Sequence, residues 1–226
     1  MDDNLGIGFY SLNDAARLLG IPRRNIRRWL SGYAFELNGQ RREMPPLWTL
    51  ELPEIDGRIE LGFRDLIELR FVRAFLEVGL DLHTIRNCLD YAREYVDSER
   101  PFSTRRFKTD GRTIFLESLE RSEGNLLDLK KHQYAFKNVV ERSFRDLDIE
   151  DDAVARWRPY HGRATIVVDP ARAFGQPIAA KSGVPTVALA DAVKAEGSIA
   201  RVAKLFEVAV AVVRDAVAFE GELLAA

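Results

Sequence analysis

Apolar residues recur at helical spacing from Ser11 onward. Ala15, Leu18 and Leu19 form a stripe that Ser11 opens, with Asp14 three residues on as a capping partner, and Gly20 ends it. Pro22 is tolerated at the start of the next helix, where Ile26, Trp29 and Leu30 fall on one face. Two short helices around a Gly-containing turn predict a helix-turn-helix. The period then changes to two: Trp48, Leu50 and Leu52 alternate with Thr49 and Glu51, Asp56-Gly57 marks a turn, and Ile59, Leu61 and Phe63 alternate again. This predicts a β-hairpin over residues 47–63, in the position of a wing. Helical spacing returns over residues 63–78 and, after Gly79, up to Val96.

Farther along, residues 105–117 read as a second hairpin turning at Asp110-Gly111, and residues 126–144 as a helix. The acidic run 146–152 has the composition of a solvated linker and marks a boundary. A strand over residues 165–168 then leads to three Ala/Val-rich helical segments, 187–196, 199–206 and 211–224. The expected fold is mainly α: an amino-terminal winged helix-turn-helix over 9–96, a mixed hairpin and helical linking region over 97–152, and a small carboxy-terminal helical domain with a short β element over 165–226.

Charge sharpens this picture only locally. The 33 Lys and Arg against 35 Asp and Glu leave a net charge of -2, so affinity for a polyanion has to come from clustering. Such a cluster exists. From Ser11 to Ser31 five arginines, Arg17, Arg23, Arg24, Arg27 and Arg28, face one acid, Asp14. With Ile26, Trp29 and Leu30 buried, the arginines of the second helix crowd its exposed side, where like charges repel by a few tenths of a kcal/mol, on the order of 0.3 per pair. Polyphosphate offsets that cost, because guanidinium binds phosphate bidentately and reaches the acceptor edge of guanine in the major groove. Asn25 is placed to pair with adenine, and Arg41, Arg42 and Arg58 are candidates for backbone contacts.

The run YSLNDAARLLGIPRRNIRRW, the hairpin, and DLIELRFVRAFLEVGLDLHTIRNCL together resemble the winged DNA-binding domain of MerR-type regulators, over residues 9–96. The resemblance implies that Arg23, Arg24, Arg27 and Arg28 lie on a recognition helix and that residues 47–63 form the wing. Pro22 stands where that family commonly has a Ser or Thr cap, and no long terminal heptad coil follows. The carboxy-terminal part is similar to the VapB-type antitoxin domain, long filed as a domain of unknown function, with Gly175 and Pro177, then Ser182, Gly183 and Pro185, then Gly197 and Ser198 matching its turns. Val184 departs from the Thr-Arg common in relatives. A MerR-like head with this tail resembles antitoxins paired with PIN-type toxin ribonucleases. The function implied is a homodimeric DNA-binding antitoxin and autorepressor on an inverted-repeat operator, whose partners are double-stranded DNA and a PIN-type toxin.

Other chemistries find little support. Cys88 alone makes no intramolecular disulfide or thiolate cage and fits a buried small hydrophobe on a stripe with Ile85 and Leu89. His83, His132 and His161 show no ligand spacing, so no metal is expected; nor are a cofactor, a catalytic residue or enzymatic activity. Trp157 and Tyr160, in RWRPYHGR, are read as interdomain packing. No signal peptide or run of apolar residues long enough for a membrane span is present, which points to the cytoplasm. Two alternatives stay open: a stand-alone MerR-like regulator with a small-ligand or protein effector, and a protein-interaction module that never binds DNA.

Overall fold

The computed structural model describes residues 6–54, 57–121 and 129–225. Strand β1 (Tyr10–Ser11) leads into α1 (Leu12–Leu19) and α2 (Arg23–Ser31), then the hairpin β2 (Tyr33–Leu37) and β3 (Gln40–Met44). After β4 (Glu60–Leu61) come α3 (Phe63–Glu77), α4 (Leu82–Val96), α5 (Arg105–Arg121) and α6 (Leu129–Ser143). Strands β5 (Leu147–Glu150), β6 (Ala153–Trp157), β7 (Ile166–Val168) and β8 (Pro177–Ala179) form one antiparallel sheet in sequential order. Helices α7 (Thr186–Glu196), α8 (Ile199–Leu205) and α9 (Val210–Ala225) close the chain. The fold is mainly α. Among the described residues no helix is long and apolar enough to cross a membrane.

The first helix is capped as its sequence predicts. Ser11 Oγ accepts from the Asp14 amide at 3.2 Å, and the Asp14 carboxylate accepts from the Ser11 amide at 3.1 Å. Gly20 ends the helix at φ 60°, in the left-handed region. The strand expected at 165–168 is β7, and the three carboxy-terminal helices fall within a few residues of their predicted bounds.

Three expectations are overturned. The hairpin is not at 47–63 but at Tyr33–Met44, turning on Asn38 and Gly39, both at positive φ (53° and 76°). Asn-Gly satisfies that two-residue turn without strain, but the polar strand QRREM gives no apolar alternation to betray it. Residues 47–54 run as irregular backbone, and Glu60–Leu61 pairs with Tyr10–Ser11; Asp56 lies outside the described residues. Asp65 organises this stretch: its carboxylate accepts from Trp48 Nε1 at 3.0 Å, from the Glu51 amide at 3.0 Å and from the Gly62 amide at 3.1 Å, and pairs with Arg100 at 2.7 Å. The burial of Trp48 and Leu52 that mimics a strand is thus the burial of a loop anchored on a helix N-terminus.

The second correction concerns residues 105–117, which belong to the helix α5. Phe107, Gly111, Ile114, Phe115 and Ser118 are buried at helical spacing, and this stripe overrides the Asp110-Gly111 turn signal. The third is the acidic run 146–152, which is part of the β5–β6 hairpin rather than a solvated linker. Asp151 and Asp152 make its turn at φ 43° and 67°. Asp146 pairs with Arg70 at 2.7 Å and accepts from Trp157 Nε1 at 3.0 Å. The helix read over 126–144 is described from Leu129, and its first residues lie outside the described ones.

One continuous core runs from Tyr10 to Val168, built around Phe71, Phe75, Phe102, Phe107, Phe115 and Phe136. Phe115 and Phe136 stack at 4.0 Å between centroids. Smaller clusters form around Leu189, Val202 and Val213, and around Tyr160, Ile166 and Phe219, where Leu18 of α1 also packs. Tyr10 Oη donates to the Gly175 carbonyl at 2.8 Å, and the Phe9 amide to the Phe174 carbonyl at 3.0 Å. Gly175 has φ 80°, and a Cβ there would lie 2.2 Å from Tyr10 Oη, so only glycine allows the first helix pair to seat against the carboxy-terminal part.

Glu68 of α3 is fully buried and accepts from the Ser103 and Phe102 amides at 2.8 and 3.2 Å. Burial pushes its carboxyl up from 4.5 to about 7, a rise that the Ser103 hydrogen bonds and the Arg64 charge only partly oppose. A folded-state value above the unfolded one means that the native state binds more protons between those limits. The associated stabilisation is therefore complete below the unfolded value and is lost as pH rises through about 7. Urea unfolding of Glu68→Gln at acidic and mildly alkaline pH should show a smaller drop in midpoint between the two than the parent protein does. An unchanged drop would assign it to other groups.

Candidate nucleic-acid interface

Helix α2 is set by its buried side. Ile26, Trp29 and Leu30 are sunk in the core at 0, 8 and 4 % exposure. That anchoring leaves Arg23, Arg24, Arg27 and Arg28 exposed, with Asn25 half-buried beside them. Among the described residues none of the four arginines has an acidic partner within ion-pair distance, and α2 carries no acid in its first turn. The sequence-predicted cluster is therefore a surface of unpaired guanidinium groups on one rigid helix.

The hairpin leaves α2 through Gly32, at φ 69°, where a Cβ would stand 2.5 Å from the Met44 carbonyl oxygen. The two strands pair Tyr33 with Met44, Phe35 with Arg42 and Glu36 with Arg41. Because side chains alternate along a strand and direct partners share a face, Tyr33, Phe35 and Arg42 lie on one side of the ribbon. Ala34, Glu36, Arg41 and Glu43 lie on the other. The Arg28 guanidinium sits 3.6 Å from the Tyr33 ring centroid, so the first of these faces continues directly from the arginine helix. The second is partly self-neutralised: Arg41 pairs with Glu43 at 3.7 Å.

The structure thus brings Arg23, Arg24, Arg27, Arg28 and Arg42 into one neighbourhood and sets Arg41 on the opposite side of the ribbon. Arg17 is exposed on α1, beside a cleft of about 470 Å³ shared with Phe9, Phe174 and Val187. Arg58 is exposed next to the β1–β4 pair, not at a hairpin tip as the misplaced wing implied. Tyr33 and Phe35 escaped the sequence reading. The signal for them was the Tyr-x-Phe alternation just ahead of Asn-Gly.

Helix α4 fixes the ribbon's exit. The Arg86 guanidinium donates to the Pro45 and Pro46 carbonyls at 3.0 Å each, Arg93 donates to the Leu47 carbonyl, and the Leu47 amide returns to the Trp29 carbonyl at 2.8 Å. Recognition helix candidate, ribbon and α4 are thereby locked into one unit. Burial pushes the Cys88 thiol up to about 12, despite a hydrogen bond with Ser118 that works the other way. Trp157 and Tyr160 are buried in two different clusters. Among the described residues no three His, Cys, Asp or Glu side chains come together as a metal site; the His132 side chain lies outside them.

No family model matches the chain. It is 30 % identical over 223 residues, 93 % of its own length and 92 % of the relative's, to a protein of Mycobacterium tuberculosis named as a candidate antitoxin, VapB45. Among solved structures, the crystal structure of Rv2018 from the same organism superposes with a TM-score of 0.74 at 26 % identity, covering 94 % of this chain and 99 % of that one.

The Gly32 junction gives the geometry its sharpest test. Gly32→Ala places a Cβ against backbone at a left-handed position, and should lower stability by about 1 to 3 kcal/mol in urea unfolding. A variant as stable as the parent would show that the helix-to-ribbon connection is not fixed as described.

Proposed function

Since the chain belongs to the VapB-type antitoxin family, we propose that it is an antitoxin that also reads DNA, with α1, α2 and the Tyr33–Met44 ribbon acting as a winged helix-turn-helix of the MerR type. A toxin partner follows from the family in general terms. The finer reading is that this partner is a PIN-type ribonuclease, occluded by direct binding, and that antitoxin and toxin share an operon which the antitoxin represses. In this reading residues 9–96 carry the reader and residues 165–226 the antitoxin-type domain. The protein acts without catalysis or cofactor, in the cytoplasm.

One observation carries the DNA reading. Four exposed arginines, without acidic partners among the described residues, crowd one side of a core-anchored helix and run on, through Arg28 over Tyr33, to Phe35 and Arg42. Major-groove width suits a helix, and bidentate guanidinium suits both phosphate and guanine. The ribbon's aromatic and arginine side then meets the sugar-phosphate backbone beside that groove. A homodimer places two such helices one helical turn apart, so the operator is an inverted repeat.

Arg27→Ala with Arg28→Ala should leave the unfolding midpoint unchanged and cost about 1 to 3 kcal/mol of operator affinity for each arginine that contacts a base. The measurement is titration of a duplex carrying the chain's own promoter, at several salt concentrations. Binding equal to that of the parent protein would refute the assignment. Retention of the adjacent reading frame's product on the tagged chain, with loss of that product's ribonuclease activity, tests the antitoxin half.

A further inference from the structure

A second basic surface lies on α5, in the stretch whose sequence suggests a hairpin. Because these residues are helical, Arg105, Lys108 and Arg112 fall on one face, with Thr109 and Thr113 beside them, and all five are exposed. The Lys108 ammonium stands 6.0 Å from the Phe144 ring centroid. That contact sets the face beside the end of α6, where Arg142 and Arg145 are also exposed.

Arg105 is neutralised by Asp152 at 3.0 Å. Among the described residues Lys108, Arg112, Arg142 and Arg145 have no acidic partner, although Asp110, Glu141 and Asp148 lie close in sequence. Those acids are directed elsewhere, to Arg106, Lys137 and Arg158. Lys108 and Arg112 are one turn apart, an arrangement of like charges that destabilises a helix unless something screens it. In a chain with net charge -2, four exposed cations without an acidic partner among the described residues make a local positive surface that suits an anionic counterpart.

The composition of the face identifies which one. Protein interfaces bury an apolar centre, and α5 has no exposed large hydrophobic side chain. Lysine, arginine and threonine without an apolar centre are instead the side chains that contact phosphate oxygens. We propose that the α5 face formed by Lys108 and Arg112, with Arg142 and Arg145, is a sequence-independent contact for the nucleic-acid backbone, separate from the α2 arginines. It rests on the reading of the chain as a DNA binder and adds to it a part that holds duplex without reading it.

The test is binding of the full chain to a random-sequence duplex across a salt series, for the parent protein, for a Lys108→Ala, Arg112→Ala, Arg145→Ala variant, and for Arg27→Ala with Arg28→Ala. The slope of log affinity against log salt should fall by about 0.9 for every phosphate contact removed in the triple variant, and low-salt affinity should drop about tenfold or more. A Lys108→Arg, Arg112→Lys, Arg145→Lys variant should keep the parent slope, which a packing role for these side chains would not predict. A triple variant with the parent's slope and affinity overturns the proposal; if the α2 variant is at the same time weakened, the reading of α2 stands alone. A parent protein that binds no duplex overturns both.

Discussion

Burial of Ile26, Trp29 and Leu30 along one side of α2 is the constraint from which the rest follows. A nine-residue helix has little stability of its own, so its orientation is inherited from the core. Once Trp29 is in place, Arg23, Arg24, Arg27 and Arg28 are left on the exposed side of the helix, with Arg28 stacked on Tyr33 of the ribbon. The same residue's carbonyl accepts from the Leu47 amide, and this ties the return of the ribbon to the anchored side of the helix. Gly32 permits the tight exit between them. The arginines are therefore presented on a core-anchored element, with their repulsion opposed by tertiary packing and, among the described residues, by no ion pair with an acid.

That constraint reaches beyond the first helices. Arg86 and Arg93 bind α4 to the ribbon's exit, α4 packs along α5, and Tyr10 and Leu18 seat the helix pair on the carboxy-terminal part. A continuous core from Tyr10 to Val168 leaves the arginine helix mechanically connected to the regions that resemble an antitoxin. Asp65 and Glu68, buried on one helix, each organise a neighbouring stretch of backbone. The first gathers the loop that carries Trp48 and Glu51; the second accepts from the amides of the turn before α5.

Much of this was legible in the sequence because the signals were local. Ser11, Asp14 and Gly20 bound α1 through capping chemistry, and the spacing of Ile26, Trp29 and Leu30 fixed which side of α2 is exposed. The errors arose where tertiary contacts decide. Trp48 and Leu52 alternate like a strand, yet they are buried because Asp65 holds their loop. Asp110-Gly111 reads as a turn, yet the stripe from Phe107 to Ser118 prevails. The ribbon is not legible locally because QRREM lacks the alternation of a half-buried strand, and only its register separates Arg41 from Arg42, which project from opposite sides. No local pattern could have revealed that Arg28 stacks on Tyr33.

The central claim is that the arginine side of α2, continued by one face of the ribbon, is where polyphosphate lies. The most direct measurement is nitrogen-15 NMR of the arginine Nε groups as a duplex carrying the chain's own promoter is added. The account predicts that the signals of Arg23, Arg24, Arg27, Arg28 and Arg42 shift and sharpen together while that of Arg41 stays in place. Duplex binding that moves other arginines and leaves the α2 signals unchanged would contradict it.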